Sequence, residues 1–228
     1  MIDIVVYSNP ASKSAKKLAA ALGVRAMNGW DDNFYGMRDK RVFNYGCSAK
    51  TPCKTVINSV AAVECCIDKV STFQVLRHAG VPVPNFVTNQ HQVPKHWEQI
   101  VCRADARGCK NEGMQIISQG EAIPKAALYT EYFFHKKEYR VVVFKGKVVA
   151  IYSKEEDGEG GWDLEYRQNK GFDLMNVQCV NAAKALGIDY VGFDVVAKTK
   201  KDFVILEANT GPILTEEVQE YLVNELKV

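Results

Sequence analysis

The apolar positions of this chain fall into short runs with two different rhythms. Residues 2–7 form an apolar run that reads as a strand, broken by Ser8-Asn9-Pro10. Residues 12–22 have helical composition, with Ala19, Ala20 and Leu22 available for a buried face and Gly23 at the end. Residues 24–27 read as a second strand, so the chain opens as a βαβ unit of an open α/β sheet. Residues 41–48 are a further strand running into a glycine turn. Residues 68–79 carry a helical stripe at Val70, Phe73 and Leu76, with Asp68 as N-cap and Gly80 as stop. Val81-Pro-Val-Pro then forces an extended exit. Residues 99–103 and 114–118 are strands joined by a polar, basic loop, 104–113. Residues 127–134, 138–144 and 147–153 read as three successive antiparallel strands, with Lys145-Gly146 as a tight turn. The glycine- and acid-rich stretch 157–162 suits a mobile lid or disorder. Residues 174–186 and 216–226 read as helices.

One hairpin breaks its own apolar pattern. Residues 190–197 and 203–208 are rich in Val, Ile and Phe, and the polar link Thr199-Lys200-Lys201-Asp202 joins them. Asp194 sits in the middle of the first run, Glu207 at the end of the second, and Asn209 two positions later. A period of two turns Glu207 and Asn209 to the same side, and if the hairpin pairs symmetrically about its link, Asp194 falls near the level of Glu207. A bare carboxylate in an apolar sheet costs several kcal/mol. No arginine lies nearby in the sequence, so a hard divalent cation is the expected counter-charge. The alternative is an exposed hairpin with solvated acids.

Composition narrows the field. With 228 residues, 47% hydrophobic and 25% charged, the chain can bury a core of useful size. A net charge of +2 creates no field that favours nucleic acid or a membrane surface. No apolar run is long enough to span a bilayer, and the N-terminus lacks the basic start of a secretory signal. The seven cysteines are odd in number and include no Cys-x-x-Cys pair, which argues against structural zinc and a disulfide framework. They read as reduced thiols in a cytoplasmic protein. The basic loop matches neither GxxxxGK[ST] nor GxGxxG, which argues against P-loop and dinucleotide sites. Asn44, Gly46 and Ser48 are candidates for a substrate rim at a strand end, as are Trp162 and Tyr166. His78, His91, His96 and His135 are scattered and receive no catalytic role.

Several motifs follow one another along the chain. Ile67-Asp-Lys-Val-Ser-Thr-Phe-Gln-Val-Leu precedes Ala79-Gly-Val-Pro-Val-Pro. Ile100-Val-Cys-Arg leads through the basic loop to Gly113-Met-Gln-Ile. Tyr129-Thr-Glu-Tyr-Phe is followed by Glu138-Tyr-Arg, Lys154, Arg167-Gln-Asn and the Asp194, Glu207, Asn209 set with Gly211-Pro212. In this order they resemble the ATP-grasp superfamily, and within it the amino-acid and peptide ligases typified by ribosomal-protein glutamate ligases, over residues 58–212. The resemblance implies an α/β (α+β) fold in which two subdomains grip ATP between antiparallel sheets. It divides the chain into an N-terminal α/β domain (1–58), a small subdomain (59–127) and a large subdomain with a metal site (128–228).

The resemblance also implies roles. Lys69, Arg103, Gly113 and Lys154 would serve the nucleotide's phosphates, Glu131, Tyr132 and Phe133 its adenine, and Glu138 its ribose. Arg140, Arg167 and Asn169 would face the reaction centre, and Asp194, Glu207 and Asn209 would hold Mg²⁺ or Mn²⁺. The family usually carries Lys where this chain has Arg103, and the Gly211-Pro212 pair reverses the usual order. The implied activity is ATP-dependent amide formation between a carboxylate and an amine through an acyl phosphate. The substrates would be amino acids, peptides or related small molecules, with homo-oligomers common in the family. Competing expectations are a non-ligating ATP-binding or regulatory protein, a phosphotransferase acting on a hydroxyl, and an amino-acid ligase acting on a modified nucleotide or nucleic acid.

Overall fold

Three sheets carry the fold, and each arises from a different pairing of these runs. The computed structural model describes residues 1–7, 12–30, 32–107, 113–156, 158 and 162–227, except the side chains of 55, 56 and 156. The first sheet is parallel: β1 (Ile4–Tyr7), β2 (Arg25–Asn28), β3 (Arg41–Tyr45) and β4 (Lys54–Ile57), in the order β2-β1-β3-β4. Between β1 and β2 runs α1 (Lys13–Leu22). The Ser12 hydroxyl accepts the Ala15 N–H at its start, and Gly23 closes it with φ 71°.

Two helices follow. The first, α2 (Val60–Ile67), has no counterpart among the sequence expectations. Its sequence, Val-Ala-Ala-Val-Glu-Cys-Cys-Ile, is apolar almost all round, so no one-sided stripe marks it as helical. Ala62 and Cys66 bury it against the large sheet and α4 (Asp173–Leu186). Asp68 then ends α2 and caps α3 (Lys69–His78) by accepting the Ser71 N–H.

The second sheet is antiparallel: β5 (Phe86–Val87), β6 (Gln99–Arg103), β7 (Met114–Ser118) and β8 (Leu128–Glu131), in the order β5-β8-β6-β7. Here the structure differs from the sequence expectation. β8 was expected to lead three successive strands of the large subdomain. Instead both its edges are used within the small sheet, Thr130 opposite Phe86 and Glu131 opposite Ile100. The chain changes sheets only at residues 132–136.

The third sheet is antiparallel and larger: β9 (Lys137–Phe144), β10 (Lys147–Glu156), β11 (Trp162–Arg167), β12 (Tyr190–Ala197) and β13 (Phe203–Asn209), in the order β11-β10-β9-β12-β13. One face packs on α4 through Tyr139, Val141, Val143, Ile151, Val191, Phe193, Val195 and Ile205. The opposite face is divided. Its apolar part, Val142, Phe144, Ala150, Tyr152 and Tyr190, packs against the first sheet and α5 (Glu216–Leu226). Its polar part remains for the site. Asn58, with φ 58°, joins the two bodies. Its Oδ1 accepts the N–H groups of Asp189 and Tyr190, and its Nδ2 donates to the Tyr190 carbonyl at 2.8 Å. Among the described residues no helix is long and apolar enough to cross a membrane. The described cysteines 47, 53, 65, 66, 102 and 179 are free thiols, and burial pushes the Cys66 thiol up to about 12.

Candidate active site

The alternation of the large sheet gathers the polar residues into rows. Strand partners share a face, so the register can be read straight across. Tyr166 lies opposite Tyr152, Tyr152 opposite Arg140, Arg140 opposite Asp194, and Asp194 opposite Glu207. The next row runs Leu164, Lys154, Glu138, Val196, Val204. A bulge at Leu206 supports this arrangement. Asp194 pairs with Glu207 while Val195 pairs with Ile205, so one residue of β13 has no partner. Ile205 and Ala208 can therefore both face the core, while Glu207 and Asn209 face the cleft. Without that extra residue, strict alternation from Ile205 would turn Glu207 into the core.

A counter-charge for Asp194, absent from its sequence neighbourhood, comes from elsewhere in the chain. Arg140 supplies it from 54 positions away. Its Nε donates to Asp194 Oδ1 at 2.8 Å and its Nη2 to Oδ2 at 2.9 Å, a bidentate pair. Lys154 Nζ donates to Oδ2 at 2.9 Å. Burial pushes the Asp194 carboxyl up, but Arg140 and Lys154 outweigh it and hold it below its ordinary range. Burial likewise pulls the Arg140 guanidinium down, and Asp194 more than restores it.

Glu207 is met from the other side of the cleft. Lys69, in the first turn of α3, donates to its Oε1 at 3.1 Å. The Lys69 N–H bonds the Ala106 carbonyl, tying α3 to the chain just after β6. On β6, Ile100 and Cys102 face the small core, which turns Gln99, Val101 and Arg103 to the cleft. Burial lowers the Arg103 guanidinium, and the charge of Glu207 opposes that effect. Ala104 N–H bonds the Gly113 carbonyl at 3.1 Å; Gly113 has φ 65°, and a Cβ there would lie 3.0 Å from that of Ala104. The remainder of the basic loop, 108–112, and most of the expected lid (157 and 159–161) lie outside the described residues.

The connection between the sheets lines a cleft of about 430 Å³ through Glu131, Tyr132, Phe133 and Phe134, together with Gln99 and Val204. Asn85 holds Glu131 twice. Its carbonyl accepts the Glu131 N–H at 2.9 Å, and its amide donates to Oε2 at 2.7 Å. The Phe133 carbonyl accepts from His135 Nδ1 at 2.8 Å, and His135 Nε2 lies 3.1 Å from Glu138 Oε1. Glu138 is also 3.6 Å from Lys154. His135 has no role legible in the sequence. Its position between a connection carbonyl and Glu138 is a matter of folding alone.

Two expected residues are not brought to this cleft. Arg167 lies opposite Ile151, and its Nε donates to the Ser153 hydroxyl at 3.0 Å. Ile151 belongs to the α4 face, so Arg167 sits on the side of the sheet away from Arg140 and Lys154. Asn169 bonds Asn176 of α4. On β11 the cleft-facing positions are Trp162, Leu164 and Tyr166. Trp162 lies under Lys154 Nζ at 4.1 Å from the ring centre, and Tyr166 meets Tyr152 edge-on at 5.9 Å. Asn44 is not on a rim either. Its amide donates to the Cys47 carbonyl and accepts the Cys47 N–H, closing its own turn. Gly46 does reach the site's border, because a Cβ there would meet Thr210 Oγ1 at 3.2 Å.

Asp194, Glu207 and Asn209 fit a hard cation by donor chemistry: two carboxylates and an amide oxygen on one face of adjacent strands. Among the described residues no cluster of three or more His, Cys, Asp or Glu offers a metal site.

Solved structures share this fold. The ATP-grasp ligase PsnB with a minimal precursor matches with a TM-score of 0.72 at 15% identity, covering 99% of this chain and 98% of that one. D-Alanine–D-alanine ligase from Bacillus anthracis matches at 0.67 and 16% identity, covering 95% and 89%. The ADP complex of purK, N5-carboxyaminoimidazole ribonucleotide synthetase, matches at 0.69 and 11% identity, covering 93% and 71%. No protein-family model and no curated protein matches the sequence.

Proposed function

We propose that this chain, which has the ATP-grasp fold, is an ATP- and Mg²⁺-dependent ligase that joins a carboxylate to an amine. The observation that carries the reading is the row Arg140, Asp194, Glu207, flanked by Lys154 and faced by Lys69 and Arg103. Such a set suits a triphosphate and its metal. PsnB has been solved with Mg and ADP and with precursor peptides, and the Bacillus anthracis ligase with ATP. Those contents support a nucleotide in the cleft here, with a peptide or amino acid as acceptor.

The chain's own groups would act by position and charge. The purine would lie in the cleft along residues 131–134, with Glu138 at the ribose. Lys69, Arg103 and Lys154 would hold the phosphates. A substrate carboxylate would attack the γ-phosphate, breaking its bond to ADP and forming an acyl phosphate. The amine would then displace phosphate and form the amide. Negative charge would shift onto the leaving oxygen of ADP and then onto the carbonyl oxygen under attack, and Arg140, held in a low-dielectric floor, would stabilise it. Bound Mg²⁺ would supply further charge neutralisation on the phosphate oxygens. Asp194, Glu207 and Asn209 are the residues that would hold it.

The test is ADP and phosphate release against a panel of amino acids and acidic peptides, with mass spectrometry of the products. Amide product with equal ADP and phosphate is expected, and loss of all three in Asp194→Asn and Glu207→Gln. Phosphorylated product without free phosphate would replace ligation by phosphotransfer. Full activity in either variant would remove the metal assignment.

A further inference from the structure

His135 is met at both ring nitrogens by groups that only accept. Nδ1 lies 2.8 Å from the Phe133 carbonyl, and Nε2 lies 3.1 Å from Glu138 Oε1. A carbonyl has no hydrogen to give, nor has an ionised carboxylate, and a neutral imidazole carries a single N–H. Making both bonds therefore takes one further proton, held on Nε2 or shared with the carboxylate. The bridge is short-range: Glu138 follows His135 by three positions, where the connection enters β9. It is also sheltered, the His135 side chain being 20% and that of Glu138 27% exposed. The Tyr132 ring lies 6.2 Å from that of His135. Among the described residues, the charged groups around the same space are Lys136, Lys137, Lys154 and Glu155, next to the Trp162 ring. Lys137 pairs with Glu155 at 3.4 Å, and Lys154 with Asp194 at 2.9 Å, while Lys154 stands 3.6 Å from Glu138 Oε2. Residues 157 and 159–161, on the hairpin that carries Trp162, lie outside the described residues, and neither bond of His135 involves them.

We propose, resting on the nucleotide reading above, that His135 is a positioning residue: its second proton fixes Glu138 against the connection, so that recognition of the ribose weakens as pH rises. While the proton is present, Nε2–H holds Glu138 Oε1, and the remaining lone pairs of the carboxylate are left for sugar hydroxyls. When the proton leaves, Nδ1–H stays on the Phe133 carbonyl, the shorter of the two contacts. Nε2 then turns a lone pair toward the carboxylate oxygen. Two lone pairs at that distance repel, so Glu138 moves off the ring and Lys154 is left to place it. Ribose hydroxyls need the carboxylate within hydrogen-bond reach, so this displacement loses them and leaves the base and phosphate contacts in place. Histidine is the side chain whose charge changes between about pH 5 and pH 8. The coupling is reciprocal, so a ligand that uses Glu138 also tightens the proton on the bridge.

The test compares ADP with 2′,3′-dideoxy-ADP, which lacks both ribose hydroxyls, by isothermal titration calorimetry of the wild-type chain with Mg²⁺ between about pH 5.5 and pH 8.5. The two ligands carry the same phosphates, so titration of the phosphates cancels in the ratio of their affinities. The preference for ADP should be on the order of tenfold greater at the acid end than at the alkaline end. In His135→Gln, which cannot take up the proton, the preference should be the same at both ends. A histidine that only supports the fold would change stability, or the affinity for both ligands alike, and would leave the preference independent of pH. A wild-type preference that does not vary with pH therefore overturns the proposal and spares the nucleotide reading. So does a variation that persists in a His135→Gln protein with wild-type circular dichroism. Binding of neither ligand at any pH removes both. The wild-type titrations decide the matter even where the variant fails to fold.

Discussion

Arg140→Met tests whether the floor of the cleft is held by one charge pair. Arg140 makes two hydrogen bonds to Asp194, at 2.8 and 2.9 Å, and the side chains are 11% and 14% exposed. Removing one partner of a buried pair costs about 3–5 kcal/mol, because the other charge stays behind uncompensated. Here Lys154 remains on Asp194 at 2.9 Å. The loss should therefore lie at the lower end, about 3 kcal/mol. For a chain of this size that is a fall in Tm of roughly 6–12 °C. Asp194→Leu should cost a similar amount, since it strands Arg140. The double variant removes both charges and should cost at least about 2 kcal/mol less than the sum of the singles. Urea unfolding of all four proteins at pH 7, followed by circular dichroism, measures the cycle. Single variants costing under about 1 kcal/mol, or additivity within about 0.5 kcal/mol, would refute the pairing as a structural term.

Four further outcomes are expected. Because the folded-state carboxyl of Asp194 titrates below its ordinary value of 3.8, its stabilisation is complete above that value and is lost as pH falls through the folded-state one. The Tm gap between wild type and Asp194→Asn should thus be flat from pH 7 to about pH 5 and close below about pH 4, and a gap that widens on acidification contradicts the sign. Arg167→Ala should keep its ADP-forming rate within about threefold, whereas Arg140→Ala loses on the order of 10²-fold; equal losses would return Arg167 to the reaction centre. Gly192→Ala places a Cβ 2.9 Å from Pro212 Cβ and 3.4 Å from Arg140 Cδ. It should cost about 1–3 kcal/mol in urea unfolding, and an unchanged midpoint would mean the approach is soft. Asn58→Gly keeps the φ of 58° easily but loses the bonds to Asp189 and Tyr190, at about 2–3 kcal/mol; a thermal melt indistinguishable from wild type would show that the junction does not rest on that amide.

The strands 99–103 and 114–118, the helices 174–186 and 216–226 and the hairpin 190–209 were legible because each is a local pattern. That Asp194 comes near Glu207 followed from the short link, although strict counting from the Ala197–Phe203 pair sets Asp194 opposite Leu206. The bulge at Leu206 did not, since the extra residue is accommodated only when β13 meets its neighbours. Helix α2 is illegible in the sequence because it is apolar almost all round, although only Ala62, Val63 and Cys66 are buried, and that removes the one-sided stripe that marks a helix.

Local sequence thus determined those strands and helices, the Asp68 cap, and the nearness of two acids at one turn of chain. Those depend on spacing and on hydrogen bonds between close neighbours. The tertiary structure alone decided which cation serves which acid: Arg140 reaches Asp194 across 54 residues because β9 and β12 lie side by side in the sheet. It also decided that Arg167 faces α4, because one step of strand register turns a side chain through the sheet. Pairings of this kind depend on which strand edges meet, and no spacing along the chain encodes that.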